Sequence, residues 1–162
     1  MGLIRLNNQS LTAVTSAGLP SGSVLQVVQT RHTATVDFTS TTETEYSGIT
    51  TSITPKATGS HILCKVVLTG GNNHNGGLWY ETFLYRDSTS NLVQDQRIYF
   101  NSQYEVIGPR PFYDVIDTTG TTAGTARTYK VYISVESGSG NFRINWASVN
   151  QTSSMTLMEI AG

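Results

Sequence analysis

The sequence predicts an all-β domain, a sandwich or barrel of antiparallel strands, from three observations. Runs of β-branched and aromatic residues recur at strand length along the whole chain. Each run is bounded by clusters of Gly, Pro, Asn, Asp or Ser, the residues that turn a chain. No segment keeps apolar residues at a spacing of 3.6 over ten positions, so no long helix is expected. At 162 residues the chain has the length of one domain and needs no metal or disulfide to build a core.

The elements follow in order. Residues 1–22 are a polar, low-charge lead-in ending in Ala17-Gly18-Leu19-Pro20-Ser21-Gly22, which stops any regular element. Val24-Leu-Gln-Val-Val-Gln29 opens the first strand. A Thr-rich run from 30 to 54 follows, interrupted at Ser47-Gly48 and closed by Pro55. Further strands are expected at 61–69, 78–87, 91–100, 112–117, 126–136, 141–147 and 154–160. Turns are expected at 58–60, 70–77, 87–91, at Gly108-Pro109, at 118–124 and at 137–140.

Alternation within the strands assigns faces. In 126–136, Tyr129, Val131, Ile133 and Val135 are apolar while Lys130, Tyr132, Ser134 and Glu136 are mostly polar, the mark of a half-buried strand. In 141–147, Phe142, Ile144 and Trp146 are expected inward, with Arg143 and Asn145 outward. Three strands are apolar on both faces. Ile62, Cys64, Val66 and Leu68 oppose Leu63 and Val67. Leu78, Tyr80 and Leu84 oppose Trp79, Phe83 and Tyr85. Met155 and Leu157 oppose Thr156, Met158 and Ile160. Such a strand must cover its second face. A second copy of the chain is the economical cover, and loops of the same chain are the alternative.

Composition narrows the function classes. Charged residues are 13% of the chain, and 24 Thr, 17 Ser, 10 Asn and 15 Gly take their place. Ten Lys/Arg against eleven Asp/Glu, with a pI near 6.3, argue against a nucleic-acid binder working through a basic field. No apolar run reaches transmembrane or signal-peptide length, so no membrane partner is expected. Met1-Gly2 lacks the Ser or Thr at position 6 that myristoylation needs. The sequons at Asn8 and Asn150 are read as coincidence in so Asn- and Thr-rich a chain.

Candidate chemistry is sparse. Cys64 is the one cysteine, on the more apolar face of its strand, and reads as an inert core thiol. His32, His61 and His74 have no metal-ligand spacing, so neither a metal nor another cofactor is expected. The tip around His74 reads as a strand connection, with ligand contact as the alternative. Segment 137–141 reads as a hairpin loop, because no helix follows it to cradle phosphate. The acid pairs Glu43/Glu45 and Asp114/Asp117 have no partner that would argue for glycoside hydrolysis. The aromatics Trp79, Tyr80, Phe83, Tyr85, Tyr99, Phe100 and Tyr104 read as core or subunit interface, with a sugar-binding face as the alternative. No catalysis is expected.

Gly2-Leu-Ile-Arg-Leu-Asn-Asn-Gln-Ser-Leu11, Gly18-Leu-Pro-Ser-Gly-Ser-Val-Leu-Gln-Val-Val28, Ile53-Thr-Pro-Lys-Ala-Thr-Gly-Ser-His-Ile-Leu63 and Ser154-Met-Thr-Leu-Met-Glu-Ile160 together resemble small structural proteins of tailed phages, marine and cyanobacterial ones above all. Such proteins resemble the trimeric jelly roll of the tumour-necrosis-factor and complement globular-head type. The resemblance implies an antiparallel jelly-roll β-sandwich over 23–162, an extended N-terminal arm over 1–22, and a homotrimer with the last strand near its axis. It also implies a virion surface protein. A short arm on one globular unit, without heptads or short repeats, favours a capsid decoration protein, a cement or head-fibre protein, over a tail-fibre or receptor-binding tip that recognises host surface glycan. In this reading Leu3, Ile4, Leu6, Leu11, Val14 and Leu19 anchor the arm to the major capsid protein. Trp79, Phe83, Met155, Leu157 and Met158 are expected in the core or the trimer interface.

Overall fold

A computed structural model describes residues 19–73, 76–100, 106–136, 140–146 and 151–162, with backbone alone for 106–111. Its strands are β1 (Val24–His32), β2 (Val36–Phe38), β3 (Thr44–Glu45), β4 (Thr51–Ile53), β5 (His61–Asn72), β6 (Leu78–Arg86), β7 (Ser88–Phe100), β8 (Val106–Asp117), β9 (Arg127–Val135), β10 (Phe142–Ile144) and β11 (Ser153–Ile160). One 3-10 turn, Ser47–Ile49, separates β3 from β4, where Ser47-Gly48 interrupts the Thr-rich run.

Every pairing is antiparallel, and the partners are nested. β6 pairs with β7, β5 with β8, β4 with β9 and β1 with β11. Successive pairs alternate between two sheets, as in one long hairpin rolled up on itself, and this is the jelly roll. Sheet A runs β1-β11-β5-β8, with β10 and β2 joined where β5 extends beyond β11. Sheet B runs from β3 and β4 through β9 and β6 to β7. Gly70 permits the β5–β10 contact, because a Cβ there would lie 2.5 Å from the Arg143 carbonyl oxygen. At one end of the sandwich, Gly22 N–H donates to Ala161 O and Ala161 N–H to Ser23 O, both at 2.9 Å.

Alternation builds the core as the sequence predicts. Ile62, Cys64, Val66 and Leu68 of β5 and Met155 and Leu157 of β11 are buried from sheet A; Tyr129, Val131, Ile133 and Val135 of β9 and Tyr80 and Leu84 of β6 are buried from sheet B. Buried tyrosines need hydroxyl partners, and each finds one. Tyr80 donates to Asn72 Oδ1 at 2.6 Å, Tyr113 to Thr82 Oγ1 at 2.8 Å and Tyr129 to Asp117 Oδ2 at 2.8 Å.

Three local expectations are corrected. The five-residue turn at 87–91 is compressed: Asp87 takes φ 61° and β7 resumes at Ser88. Gly108-Pro109 is no turn but part of β8, which among the described residues pairs only with β5. An edge strand tolerates proline, and a register shift between Leu68 and Gly70 absorbs the pair. Asn145, expected outward, is fully buried, while Trp146, expected inward, is only half-buried. The left-handed turn at Asn145 (φ 53°) breaks the alternation there. Arm residues Leu3, Ile4, Leu6, Leu11 and Val14, together with His74, Tyr104 and the tip 137–139, lie outside the described residues.

Candidate functional site

Three buried polar clusters, centred on Asn145, Glu159 and Asp117, are each satisfied internally. Asn145 accepts at Oδ1 from Thr69 and Ser153 hydroxyls, both at 2.8 Å. Its Nδ2 donates to His32 O, Ala34 O and Tyr46 Oη at 2.8, 3.3 and 3.0 Å. Glu159 accepts from Lys56 N–H, Ala57 N–H, Ser60 Oγ and Gln26 Nε2 at 2.7–2.9 Å. Burial works to raise its pKa, but these donors outweigh burial and hold the carboxyl below its ordinary value. Asp117 accepts from Arg86 Nη1 at 2.7 Å, from Tyr129 Oη and from Thr119 N–H; burial again opposes, and the donors again win. These clusters tie loops to strands and leave no acceptor pointing into a cleft. Burial pushes the Cys64 thiol well up, which removes it as a nucleophile. Among the described residues no three His, Cys, Asp or Glu side chains gather to hold a metal.

The outward faces of the two sheets differ. On sheet A, register sets Val27, Met158, Leu63 and Ile116 side by side across β1, β11, β5 and β8. Val27 is 55% and Ile116 52% exposed, so no described loop covers this apolar row. Val67 and Ile160 lie half-buried on the same face. The next row, Gln29–Thr156–Lys65–Asp114, is polar, with Lys65 paired to Asp114 at 2.7 Å.

On sheet B the outward face is aromatic and acidic. Trp79 and Tyr99 are cross-strand partners with ring centroids 4.8 Å apart, and the Arg97 guanidinium lies 5.1 Å from the Trp79 ring centre. Arg97 also reaches Glu81 at 3.2 Å and Glu136 at 4.0 Å. Two rows on, Phe83 stands between Tyr132 and Asp95. Tyr85 donates to Glu43 at 2.7 Å, and burial with that carboxylate pushes its pKa up to about 12. Between these walls stands Ser134, a small residue in a field of large ones. The result is a two-lobed groove: one lobe, about 210 Å³, runs under Trp79, Arg97 and Glu136. The other, about 670 Å³, is bounded by Glu43, Phe83, Tyr85 and Tyr132. Thr41, Glu81 and Ser134 line both.

The structure divides the five residues expected in core or interface. Met155 and Leu157 are fully buried in the core, Met158 lies on the outside of sheet A, and Trp79 and Phe83 lie on the outside of sheet B. Met158 and Trp79 therefore occupy opposite sides of the sandwich. Leu19 is exposed just before the turn at Pro20–Ser23. The acid pairs separate too: Asp114 is outward on β8 and Asp117 buried, while Glu45 is tied to Lys130 at 3.0 Å. Of the aromatics that the sequence offered as an alternative sugar-binding face, Trp79, Phe83, Tyr85 and Tyr99 stand on this outer face, whereas Tyr80 and Phe100 are buried in the core. The groove itself had one further signal in the sequence. Large side chains at Tyr132 and Glu136 flank small Ser134 on an outward face.

No family model matches the chain, and no curated protein is a detectable relative. Among solved structures, the chain is similar to "Structure of infectious bursal disease virus Gx strain" at TM-score 0.42 and 12% identity, covering 100% of this chain and 38% of that one. It is also similar to a D431N mutant VP2 protein of infectious bursal disease virus in derived T=1 particles, at TM-score 0.35 and 11% identity, covering 99% and 41%. The chain thus spans about two-fifths of those chains, and likeness at this level assigns it no role.

Proposed function

We propose that this chain is a virion structural protein, a capsid decoration protein whose jelly-roll head self-associates as a homotrimer through the outward face of sheet A. The observation that carries the reading is the in-register row Val27–Met158–Leu63–Ile116. A row of four apolar side chains on a sheet's outer face is costly in water, and burial returns about 25 cal/mol per Å². Three copies that turn this row toward a common axis cover it without a new partner. Three copies, a place on the virion, and an arm over residues 1–22 that grips the major capsid protein follow from the sequence resemblance.

Light scattering of the full-length protein is expected to give three copies at micromolar concentration. Met158→Glu puts a charge in the middle of the row while leaving the core untouched. It is expected to give a folded monomer, with unfolding shifted by about 1 kcal/mol or less apart from the lost association. A wild-type protein that stays monomeric would remove the proposal's basis. On the virion, gold-labelled full-length protein is expected on the capsid, and deletion of residues 1–19 is expected to abolish that decoration. Three arms on one head reinforce one another, so the loss should be close to complete. Label at the tail would replace the decoration reading with a tail-fibre one, and wild-type occupancy by the truncated protein would release the arm from its role.

A further inference from the structure

The groove over sheet B belongs to neither the core nor the apolar row, and it lies on the side of the sandwich that association through sheet A leaves open. We propose that it binds a neutral oligosaccharide. Trp79, held in place by its neighbour Tyr99, would supply the stacking wall, and Glu43, Glu81 and Glu136 the acceptors for sugar hydroxyls.

Four features argue for that ligand class. Trp79 is 37% and Tyr99 47% exposed, yet the pair is fixed by cross-strand contact and by Arg97 over the indole. Rigid, exposed aromatic faces suit the C–H face of a pyranose and lose little entropy on binding. Beside Trp79, Phe83, Val135 and Arg97, the lining offers hydroxyls and carboxylates, among them Thr41, Ser134, Tyr85, Glu43, Glu81 and Glu136. Each carboxylate keeps lone pairs beyond those that Arg97 and Tyr85 use. Charge selects further. Three glutamates face one arginine, so an anionic sugar is repelled while a neutral one donates its hydroxyls into charge-assisted bonds. Finally, the floor lies over β9 and β6, whose backbones are paired on both sides. An extended peptide finds no sheet edge there to join. The larger lobe is also within the usual size range of small-molecule sites.

Full-length protein titrated with maltotetraose, mannotetraose and chitotriose as neutral probes tests this by calorimetry. A glucosamine trimer serves as the cationic probe and trigalacturonate as the anionic one. At least one neutral probe is expected to bind more tightly than about 1 mM and better than either charged one. Trp79→Ala is expected to weaken that binding by roughly tenfold or more, and Glu81→Gln by about threefold or more. Ser134→Trp fills the floor and is expected to abolish binding. If that variant does not fold by circular dichroism, Trp79→Ala and Glu81→Gln decide. The proposal is overturned if no neutral probe binds, if a charged trimer binds tightest, or if folded variants bind as wild type. None of these readouts depends on whether the head is a trimer or where it sits on a virion.

Discussion

Asn145→Ala is expected to destabilise the protein by about 3–5 kcal/mol, lowering Tm by roughly 10 °C in a domain of this size. The side chain fills all four of its hydrogen-bonding positions in a site without solvent, joining β1, β5, β10, β11 and Tyr46. Alanine leaves the Thr69 and Ser153 hydroxyls and the His32 and Ala34 carbonyls facing a void. Each stranded buried group costs about 1–3 kcal/mol, less whatever relaxation recovers. The backbone adds a second penalty, since φ 53° suits asparagine and glycine but not alanine, by about 1–2 kcal/mol. Asn145→Gly separates the two. It removes the bonds but keeps the conformation, so it should unfold at higher urea than Asn145→Ala. Losses below about 1 kcal/mol in urea unfolding of both variants would show that the strands do not depend on this residue.

Glu159→Gln is the second large change, expected at about 2–4 kcal/mol at pH 7. A carboxylate accepting from two backbone N–H groups, a serine and a glutamine becomes an amide that presents its own N–H₂ to one of those donors. The pH profile distinguishes this from simple loss of packing. The folded-state pKa of Glu159 lies below its unfolded value of 4.5, so its contribution is fully present above about pH 4.5. That contribution is lost as pH falls through the folded-state value. Wild-type Tm is therefore expected to be flat from pH 5 to 7 and to fall below about pH 4.5. Glu159→Gln should start lower and fall less steeply. A residual acid slope should remain, because Asp117 is depressed in the same sense by Arg86 and Tyr129 acting against burial. A variant as acid-sensitive as wild type would assign the slope to other carboxylates.

Much of this fold was legible because burial of one face imposes a period of two. Tyr129, Val131, Ile133 and Val135 declare their strand, and all four are buried. Legibility failed where that pressure is absent. β7 is an edge strand whose first residues, Ser88 to Ser90, are exposed, and an exposed polar edge has the composition of a loop. β10 is three residues long, too short for alternation to survive the turn at Asn145. Glu159 was missed for a different reason. It holds an inward position on β11 that pattern reserves for an apolar residue, and its donors are backbone groups of a loop about a hundred residues away. The aromatics of sheet B were legible as an alternative sugar-binding face, but the groove between them was not: its walls come from three strands, and only register shows that Ser134 faces Glu81 while Trp79 faces Tyr99.

The two hydrogen bonds that join Gly22 and Ser23 to Ala161 make the segment 22–161 almost a closed ring. A short linker from Gly162 to Gly22 would complete the circle, and a new opening in the exposed turn at Thr122–Gly124 would keep β1 beside β11 and β4 beside β9. Circular permutants of this head are therefore open to construction. They would allow a leading segment to be grafted onto a different strand of the same sandwich.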